Sequence, residues 1–198
     1  MFGCFIKVIN MVIVMLAIIG LIALGGTKMV KNFFHAHFPS SPEGKIEKAM
    51  PIGDFSKLDK EFCIISSSQL PKIGNYIWLE HASSTQMFLM TKPSKTSVLT
   101  KTDFETEEAD KKIMKFVSHY KISENFEITG RGSMHALEQT VPFVKYKAKI
   151  EKFPMHMRGT EGIVGVALKD NKNVIIVVAN EKGKYSQIVT DALFNKIK

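Results

Sequence analysis

The stretch GIVGVALKDNKNVIIVVAN, residues 162–180, decides the fold of this chain. Two runs rich in β-branched residues flank the polar segment Asp170-Asn171-Lys172-Asn173. β-Branched residues favour strands, and Asp and Asn favour tight turns, so the pattern predicts a β-hairpin. Strands joined by so short a turn are antiparallel, and we therefore expect an antiparallel or mixed sheet.

The preceding segment, TVPFVKYKAKIEKF at residues 140–153, predicts a further strand that alternates in its second half. Val144, Tyr146, Ala148 and Ile150 fall on one face, with lysines between them. This alternation is typical of a strand with one buried and one wet face. Other predicted strands are FCIISS (62–67), NYIWLEHA (75–82), TQMFLMTK (85–92) and FEITG (126–130), with Ser83-Ser84 as a hairpin turn.

Two helices are predicted beside these strands. The segment Thr102–Tyr120 opens with a capping-box pattern and carries an apolar stripe at helical spacing, namely Ile113, Phe116, Val117 and Tyr120. Tyr185–Ile197 carries a second stripe, Ile188, Val189, Ala192, Leu193 and Ile197, and FSKLDKEF (55–62) predicts one helical turn. Strands in runs with helices between them give the α+β class, with helices flanking the sheet.

The last elements, strand–hairpin–strand into YSQIVTDALFNKIK (185–198), resemble the C-terminal part of PsbP-like domains, a family named for an accessory subunit of photosystem II. The resemblance covers residues 55–198 in the order of elements. It implies an antiparallel sheet sandwiched by helices and closed by an amphipathic helix. Many such domains are membrane-associated accessory or assembly proteins without catalysis, so the resemblance implies a role of that kind.

The N-terminal segment 8–26, VINMVIVMLAIIGLIALGG, has no charged residue and one polar side chain, Asn10. A helix of this length covers roughly 28 Å, close to the hydrocarbon core of a bilayer at about 30 Å. It therefore predicts a transmembrane signal anchor. The alternative is a cleaved signal peptide, since Lys7 precedes the run and small residues at 23–25 suit cleavage, although the run is longer than an ordinary signal h-region.

These features divide the chain into a short N-terminus (1–7), the transmembrane helix (8–26), a juxtamembrane segment and linker (27–50) and one α+β domain (51–198). PSSPEG and MPIG supply the Pro, Ser and Gly of the linker. The protein is thus expected to be single-pass. Lysines flank both ends of the apolar run, so we place the domain on the extracytoplasmic side only because short N-termini of such anchors usually remain inside.

Composition excludes several classes. Apolar residues at 45% and charged residues at 23% argue against wholesale disorder. Net charge is +8, but the only arginines are Arg131 and Arg158, whereas nucleic-acid readers rely on bidentate arginine. No nucleic-acid partner is therefore expected. Cys4 and Cys63 are too far apart in the predicted organisation to suggest a disulfide.

The motif His35-Ala36-His37 lies just beyond the apolar run. Two histidines at i and i+2 would share a face in a strand, but no third ligand follows at metal-binding spacing. The favoured interpretation is a membrane-interface segment in which Phe33, Phe34 and Phe38 enter the headgroup boundary. His35 and His37 are thus weak candidates, and no metal or cofactor is predicted.

The lysines Lys145, Lys147, Lys149 and Lys152 form a one-sided basic row. Such a row on a solvated strand discourages edge pairing. Near an anionic membrane surface each lysine would also contribute about 1 kcal/mol of attraction. The row is therefore the candidate contact surface for a membrane or a protein partner.

The segment Gly130-Arg131-Gly132-Ser133 lacks the GK[ST] ending of a phosphate-binding loop, so we predict a tight turn there. Ser133 and His135 lack the flanking glycines of a nucleophile elbow. No catalytic residue is predicted, and the sequence favours a membrane-anchored, non-catalytic accessory, binding or assembly protein. The alternative is a tethered enzyme or small-ligand binder whose site joins dispersed residues, with Trp78, Glu80, His81 and Arg131 as candidates.

Overall fold

A computed structural model describes residues 39–70, 74–94, 99–120, 125–149 and 159–198, with the backbone alone at 116–120. In these ranges the helices are α1 (Pro42–Ala49), a 3-10 helix (Lys101–Glu105), α2 (Glu108–Tyr120) and α3 (Gln187–Phe194). The strands are β1 (Phe62–Leu70), β2 (Gly74–His81), β3 (Met87–Pro93), β4 (Glu127–Ala136), β5 (Gln139–Ala148), β6 (Thr160–Lys169) and β7 (Lys172–Glu181).

The strands form one antiparallel sheet in the order β1-β2-β3-β7-β6-β5-β4. The predicted α+β class is confirmed. The hairpin of residues 162–180 supplies the two strands β6 and β7, and its turn is only two residues long. Asp170 and Asn171 both have positive φ, 52° and 57°, as a two-residue hairpin turn with the twist of the flanking strands requires.

Helices cover both faces of the sheet and divide the core in two. On the first face, α1 and α3 enclose the larger cluster, which includes Phe55, Phe88 and Phe194. On the second face, the 3-10 helix and α2 cover a smaller cluster that includes Phe104 and Ile113. Both faces of the sheet are therefore covered by helices, the arrangement expected for an α+β sandwich.

Residues 42–49, which we assigned to the linker 27–50, form α1 in the structure. Ser41 caps this helix by accepting a hydrogen bond from the N–H of Gly44 at 3.1 Å, and Pro42 occupies its first turn. Ala49 is fully buried. The Pro and Ser that suggested a spacer are helix-start signals here, because proline suits the first turn and serine the N-cap.

The helix predicted over 102–120 is divided at Thr106 into the 3-10 helix and α2. Asp103 accepts a hydrogen bond from the N–H of Thr100 at 2.8 Å, so the cap lies two residues before the predicted one. Lys112 binds Asp103 at 2.7 Å, whereas Glu108 binds Lys111. The pair of Asp103 with Lys112 joins residues nine apart, a separation that i, i+3 and i, i+4 helical spacing does not predict.

The terminal helix is shorter than predicted and its buried face is rotated. Thr190, Leu193 and Phe194 are buried, whereas Ile188 is 82% exposed. The prediction was therefore wrong for Ile188, whereas Leu193 and Ile197 of the same stripe are buried as predicted. Thr190 is buried because its hydroxyl joins a hydrogen-bond network, a role that a hydrophobicity pattern does not register.

Gly130–Ser133 lies within β4 and does not form the predicted turn. The strand pairing is shifted between Ile128 and Gly130, which marks a β-bulge. A Cβ at Gly132 would lie 2.7 Å from the ring of Phe143, so glycine admits the close approach of that ring from β5. These glycines shape an edge strand.

The predicted transmembrane helix, residues 8–26, and the interface residues Phe33, Phe34, Phe38, His35 and His37 lie outside the described residues. Among the residues that are described, no helix is both long and apolar enough to cross a bilayer. The anchor thus remains a prediction.

Candidate functional site

The basic row occupies the C-terminal half of β5. Tyr146 and Ala148 are buried on the second face, whereas Lys145, Lys147 and Lys149 are exposed on the first. The predicted alternation is therefore what the strand adopts. Lys152 lies outside the described part of the chain.

At the end of this strand lies an open cavity of about 510 Å³. It is bounded by the start of β4, the end of β5, the start of β6 and the turn after β7. Its lining residues are Asn125, Phe126, Glu127, Lys147, Ala148, Lys149, Gly159, Thr160 and Lys182. Three lysines and one glutamate give this lining a formal surplus of two positive charges.

One wall of the cavity is Lys182, held in place by its neighbours. Its backbone N–H donates to the carbonyl of Gly159 at 3.0 Å, which extends the β6–β7 pairing by one step. The Glu161 carboxylate then accepts hydrogen bonds from the N–H groups of Gly183 at 2.8 Å and Tyr185 at 3.2 Å. Gly183 has φ of +83°, so the turn needs a residue that tolerates this conformation.

The cavity lining also includes one aromatic side chain, that of Phe126. The ring of Phe126 stacks on Tyr146 with centroids 5.3 Å apart and planes 15° from parallel. Tyr146 is buried and its hydroxyl donates to the carbonyl of Val178 at 3.3 Å. Burial raises the pKa of Tyr146 well above its usual range, so its hydroxyl stays protonated and can donate this hydrogen bond.

Lys147 is flanked by two carboxylates across the sheet. It lies directly opposite Glu127 on β4 and Glu161 on β6. Nevertheless, neither Lys147 nor Lys182 has a carboxylate within ion-pair distance among the described residues. The Glu161 carboxylate binds the backbone of the turn after β7, so Glu127 is the acidic side chain of the cavity lining.

The described chain begins at the same end of the sheet as the cavity. The Lys45 ammonium of α1 donates to the carbonyl of Ile64 at 3.0 Å. Further along α1, the backbone carbonyl of Lys48 accepts from the side-chain amide of Gln69. The helix α1 thus runs in the direction of β1, and its first residue lies beside the start of that strand. Because antiparallel neighbours alternate, this end also holds the end of β5 and the start of β6. Five strand spacings, about 24 Å, separate β1 from β5.

A Ser–His–Glu chain also lies at this end. Ser84 is in the loop between β2 and β3, His81 is the last residue of β2, and Glu61 directly precedes β1. Nδ1 of His81 accepts from the Ser84 N–H at 3.2 Å and lies 2.9 Å from the Ser84 hydroxyl. The ring proton is therefore on Nε2, which lies 3.5 Å from the Glu61 carboxylate. The Ser84 backbone occupies the nitrogen that a catalytic base would need, so we interpret this chain as a loop cap.

A buried polar network fixes the start of α3 to the same loop. Gln86, fully buried, accepts from the Ser186 N–H at 2.8 Å and donates to the Ser186 carbonyl at 3.0 Å and to the Thr190 hydroxyl at 2.9 Å. Asn180, also fully buried, donates to the carbonyls of Ser84 and Lys184. Every hydrogen-bonding group of Gln86 is thereby used within the fold.

The structure separates the four candidates of the enzyme alternative. Trp78 and Glu80 lie on the second face of β2, whereas His81 lies on the first face against Phe62. Arg131 lies on β4, five strands away, where it binds Asp110 at 2.7 Å and the Thr106 carbonyl at 2.9 Å. In the described ranges, no group of three or more His, Cys, Asp or Glu side chains is placed to hold a metal.

Lys182, Phe126 and Glu127 are the site residues that sequence reasoning missed. Lys182 follows a strand in EKGK, a segment that reads as an ordinary polar turn. The signal that identifies it is the register of β6 and β7, which carries the pairing past Glu181 to Gly159. That register is a tertiary property.

Neither protein-family models nor curated proteins match this chain. Among solved structures, the chain is similar to cyanobacterial PsbP from Synechocystis sp. PCC 6803, with a TM-score of 0.42 and 8% sequence identity. The match covers 71% of this chain and 83% of that chain. The likeness concerns the fold alone.

Proposed function

We propose that this chain is a single-pass membrane-anchored, non-catalytic accessory or binding protein whose basic sheet end faces the membrane. One observation carries the proposal: the described chain starts at the sheet end that holds the basic cavity. A tether formed by the preceding residues would bring Lys145, Lys147 and Lys182 towards the lipid headgroups. Lysines near an anionic surface each add about 1 kcal/mol of attraction.

The non-catalytic part of the proposal is supported by where the reactive groups lie. His81, Ser84 and Glu61 are used to close a loop. Arg131 is held by Asp110 and a backbone carbonyl. These four side chains thus serve structural contacts, whereas Lys147 and Lys182 of the cavity form no ion pair with a described carboxylate. A binding role, for an anionic surface or a protein partner, uses the groups that the fold leaves open.

The anchor is tested by alkaline carbonate extraction of membranes from cells that express the full chain, with intact-mass analysis. We expect the chain in the membrane pellet at full mass. A variant with Leu16→Lys and Ile19→Lys should be released, because charges at the centre of a spanning helix are costly. The matched control Ile188→Lys changes an exposed side chain and should stay in the pellet. A shortened soluble wild-type chain would contradict the anchor and support cleavage.

The orientation of the domain is tested in nanodiscs with a dye on the exposed Cys63 and a second dye on lipid headgroups, after Cys4→Ser. Energy transfer should rise when phosphatidylserine is added to phosphatidylcholine. Lys145→Gln with Lys147→Gln should reduce this rise. The control pair Lys169→Gln with Lys172→Gln removes the same charge at the opposite sheet end. Equal loss in both pairs would show that net charge alone attracts the domain.

A further inference from the structure

We propose that the cavity at the end of β5 is a binding site for a dianionic phosphate group. Its chemistry is that of a phosphomonoester, whether free in solution or on a lipid headgroup. The lipid source rests on the proposed function, because it needs the anchored domain to face the membrane. The binding itself does not depend on the anchor.

The charge of the lining suits such a ligand. Lys147 and Lys182 place two ammonium groups in the lining, and Glu127 is the one carboxylate there. A phosphomonoester carries about −1.5 to −2 charges at pH 7, which is about one charge for each of these two ammonium groups. A carboxylate, with one charge, would match only one of them.

Two of the lining lysines, Lys147 and Lys182, form no ion pair with a carboxylate of the described residues. Across the described residues, Lys184 and Lys196 reach carboxylates within 4 Å, whereas Lys147 and Lys182 do not. A lysine ammonium offers three rotatable donors and acts on phosphate as a compact point charge. Both ammonium groups are therefore available to a ligand at no loss of an existing ion pair.

The walls are held well enough to define a site. The position of Lys182 is set by the Gly159 carbonyl and by the Glu161 carboxylate on the following turn. Lys147 projects from a paired strand with neighbours on both sides. The cavity volume of about 510 Å³ lies within the range of small-molecule pockets. A phosphate with a small polar substituent, such as glycerol, therefore fits.

Glu127 gives the proposal a test with the opposite sign. Its carboxylate lies beside Lys147 and repels an incoming anion. Replacement by Gln removes that charge and keeps the shape of the side chain. Glu127→Gln should therefore bind phosphate about two- to fivefold more tightly. A merely structural pairing of Glu127 with Lys147 would not strengthen binding.

Binding is measured on the full chain in neutral detergent by calorimetric titration with glycerol 3-phosphate. Lys147→Gln and Lys182→Gln should each weaken binding by about fivefold. Lys147→Arg should retain it, and thermal unfolding of each variant checks that the fold is intact. The controls Lys169→Gln and Lys172→Gln lie at the opposite sheet end. The site would be overturned if the controls weakened binding equally. It would also be overturned if the wild-type chain gave no heat of binding with free glycerol 3-phosphate or with a lipid that carries the same phosphate group.

The source of the phosphate is separated by acetylation of lysines, read by mass spectrometry. The full chain is placed in phosphatidylcholine nanodiscs with phosphatidic acid, with phosphatidylserine, or with neither plus glycerol 3-phosphate. Slower acetylation of Lys147 and Lys182 than of Lys169 with phosphatidic acid alone supports a lipid headgroup. Protection by glycerol 3-phosphate alone supports a soluble ligand and contradicts the membrane-facing orientation. If phosphatidylserine and phosphatidic acid protect these lysines from acetylation equally, recognition of a phosphomonoester is contradicted. The anchor is tested separately, by the carbonate extraction.

Discussion

Lys92 and Lys147 lie at opposite ends of the same sheet and show two different uses of a lysine. The Lys92 side chain is 8% exposed, and its ammonium binds the Pro51 carbonyl at 3.0 Å and Asp170 at 2.7 Å. Lys147 is exposed between two carboxylates and forms an ion pair with neither. The first ties the β6–β7 turn to the segment after α1, and the second is open to a ligand.

The difference shows that sequence context alone does not rank the lysines of this chain. Lys92 stands in a strand next to Pro93 and carries no visible mark of burial. Lys147 stands in a regular alternation that drew attention to it. Replacing a lysine should therefore lower the free energy of unfolding most where its ammonium forms the most hydrogen bonds and ion pairs within the fold.

The largest effect is expected for Lys92→Met. It leaves the Pro51 carbonyl without its donor and Asp170 without its partner, and we expect a loss of about 1–3 kcal/mol in the free energy of unfolding. Denaturant unfolding of the full chain in detergent measures it. Lys147→Met is the matched control. If both variants lose the same stability, the distinction between the two ends fails.

The next effect is expected for Asp103, whose partner Lys112 is 37% exposed. Burial alone would raise the pKa of Asp103, but the hydrogen bonds from Lys112 and Thr100 outweigh it and the pKa lies below 3.8. Its stabilisation is therefore complete above that pH and is lost as pH falls through the lowered value. The stability difference between wild type and Asp103→Asn should shrink in acid.

Unfolding followed between neutral pH and strong acid measures this difference. Asp54→Asn serves as the comparison, since a hydrogen bond from the backbone of the exposed Ser56 lowers the pKa of Asp54 within its own loop. A constant gap between wild type and Asp103→Asn at every pH would show that the carboxylate charge is not what stabilises this contact.

A smaller effect is expected for Lys45→Met in α1. Its ammonium donates to the Ile64 carbonyl, but the neighbouring Ser67 hydroxyl holds the Lys45 backbone independently at 2.7 Å. We expect a loss of about 0.5–1 kcal/mol, one ordinary hydrogen bond. Ser67→Ala provides the comparison, because it removes the second contact. A loss as large as that of Lys92→Met would contradict the ranking.

The smallest stability effect is expected for Lys147→Met itself, within about 0.5 kcal/mol of wild type. Its consequence should appear in binding, as the loss of glycerol 3-phosphate affinity described above. Calorimetric titration and unfolding on the same preparation separate the two readouts. A strongly destabilised Lys147→Met would mean that this lysine, like Lys92, is part of the framework.

Much of the sheet could be predicted from sequence, because alternation and β-branched runs are local. The hairpin of β6 and β7 and the wet face of β5 follow directly from residues 140–180. What could not be predicted depends on partners distant in the chain. Asp103 looked like part of a helix cap, and only the fold shows it binding Lys112. Ile188 fitted a stripe, but Thr190 is buried in its place because Gln86 bonds its hydroxyl.

The candidate site divides in the same way. The lysines of β5 were found because their spacing is regular. Lys182 was not found, because it reaches the cavity through the register of another strand pair. The α1 helix was missed for a different reason: Ser41 and Pro42 suit both a spacer and a helix start, and the packing of Ala49 decides between them.

The strand order has a consequence for how the domain assembles. The strands β1, β2 and β3 form one meander of neighbouring strands, and β4 to β7 form another. Within the described residues, backbone pairing joins the two meanders only between β3 and β7, for example at Met87 and Ala179. Short loops let each meander form early, whereas this seam requires closure of a long stretch of chain. The seam should therefore set the folding rate, and amide exchange should reveal two cooperative units that open along it.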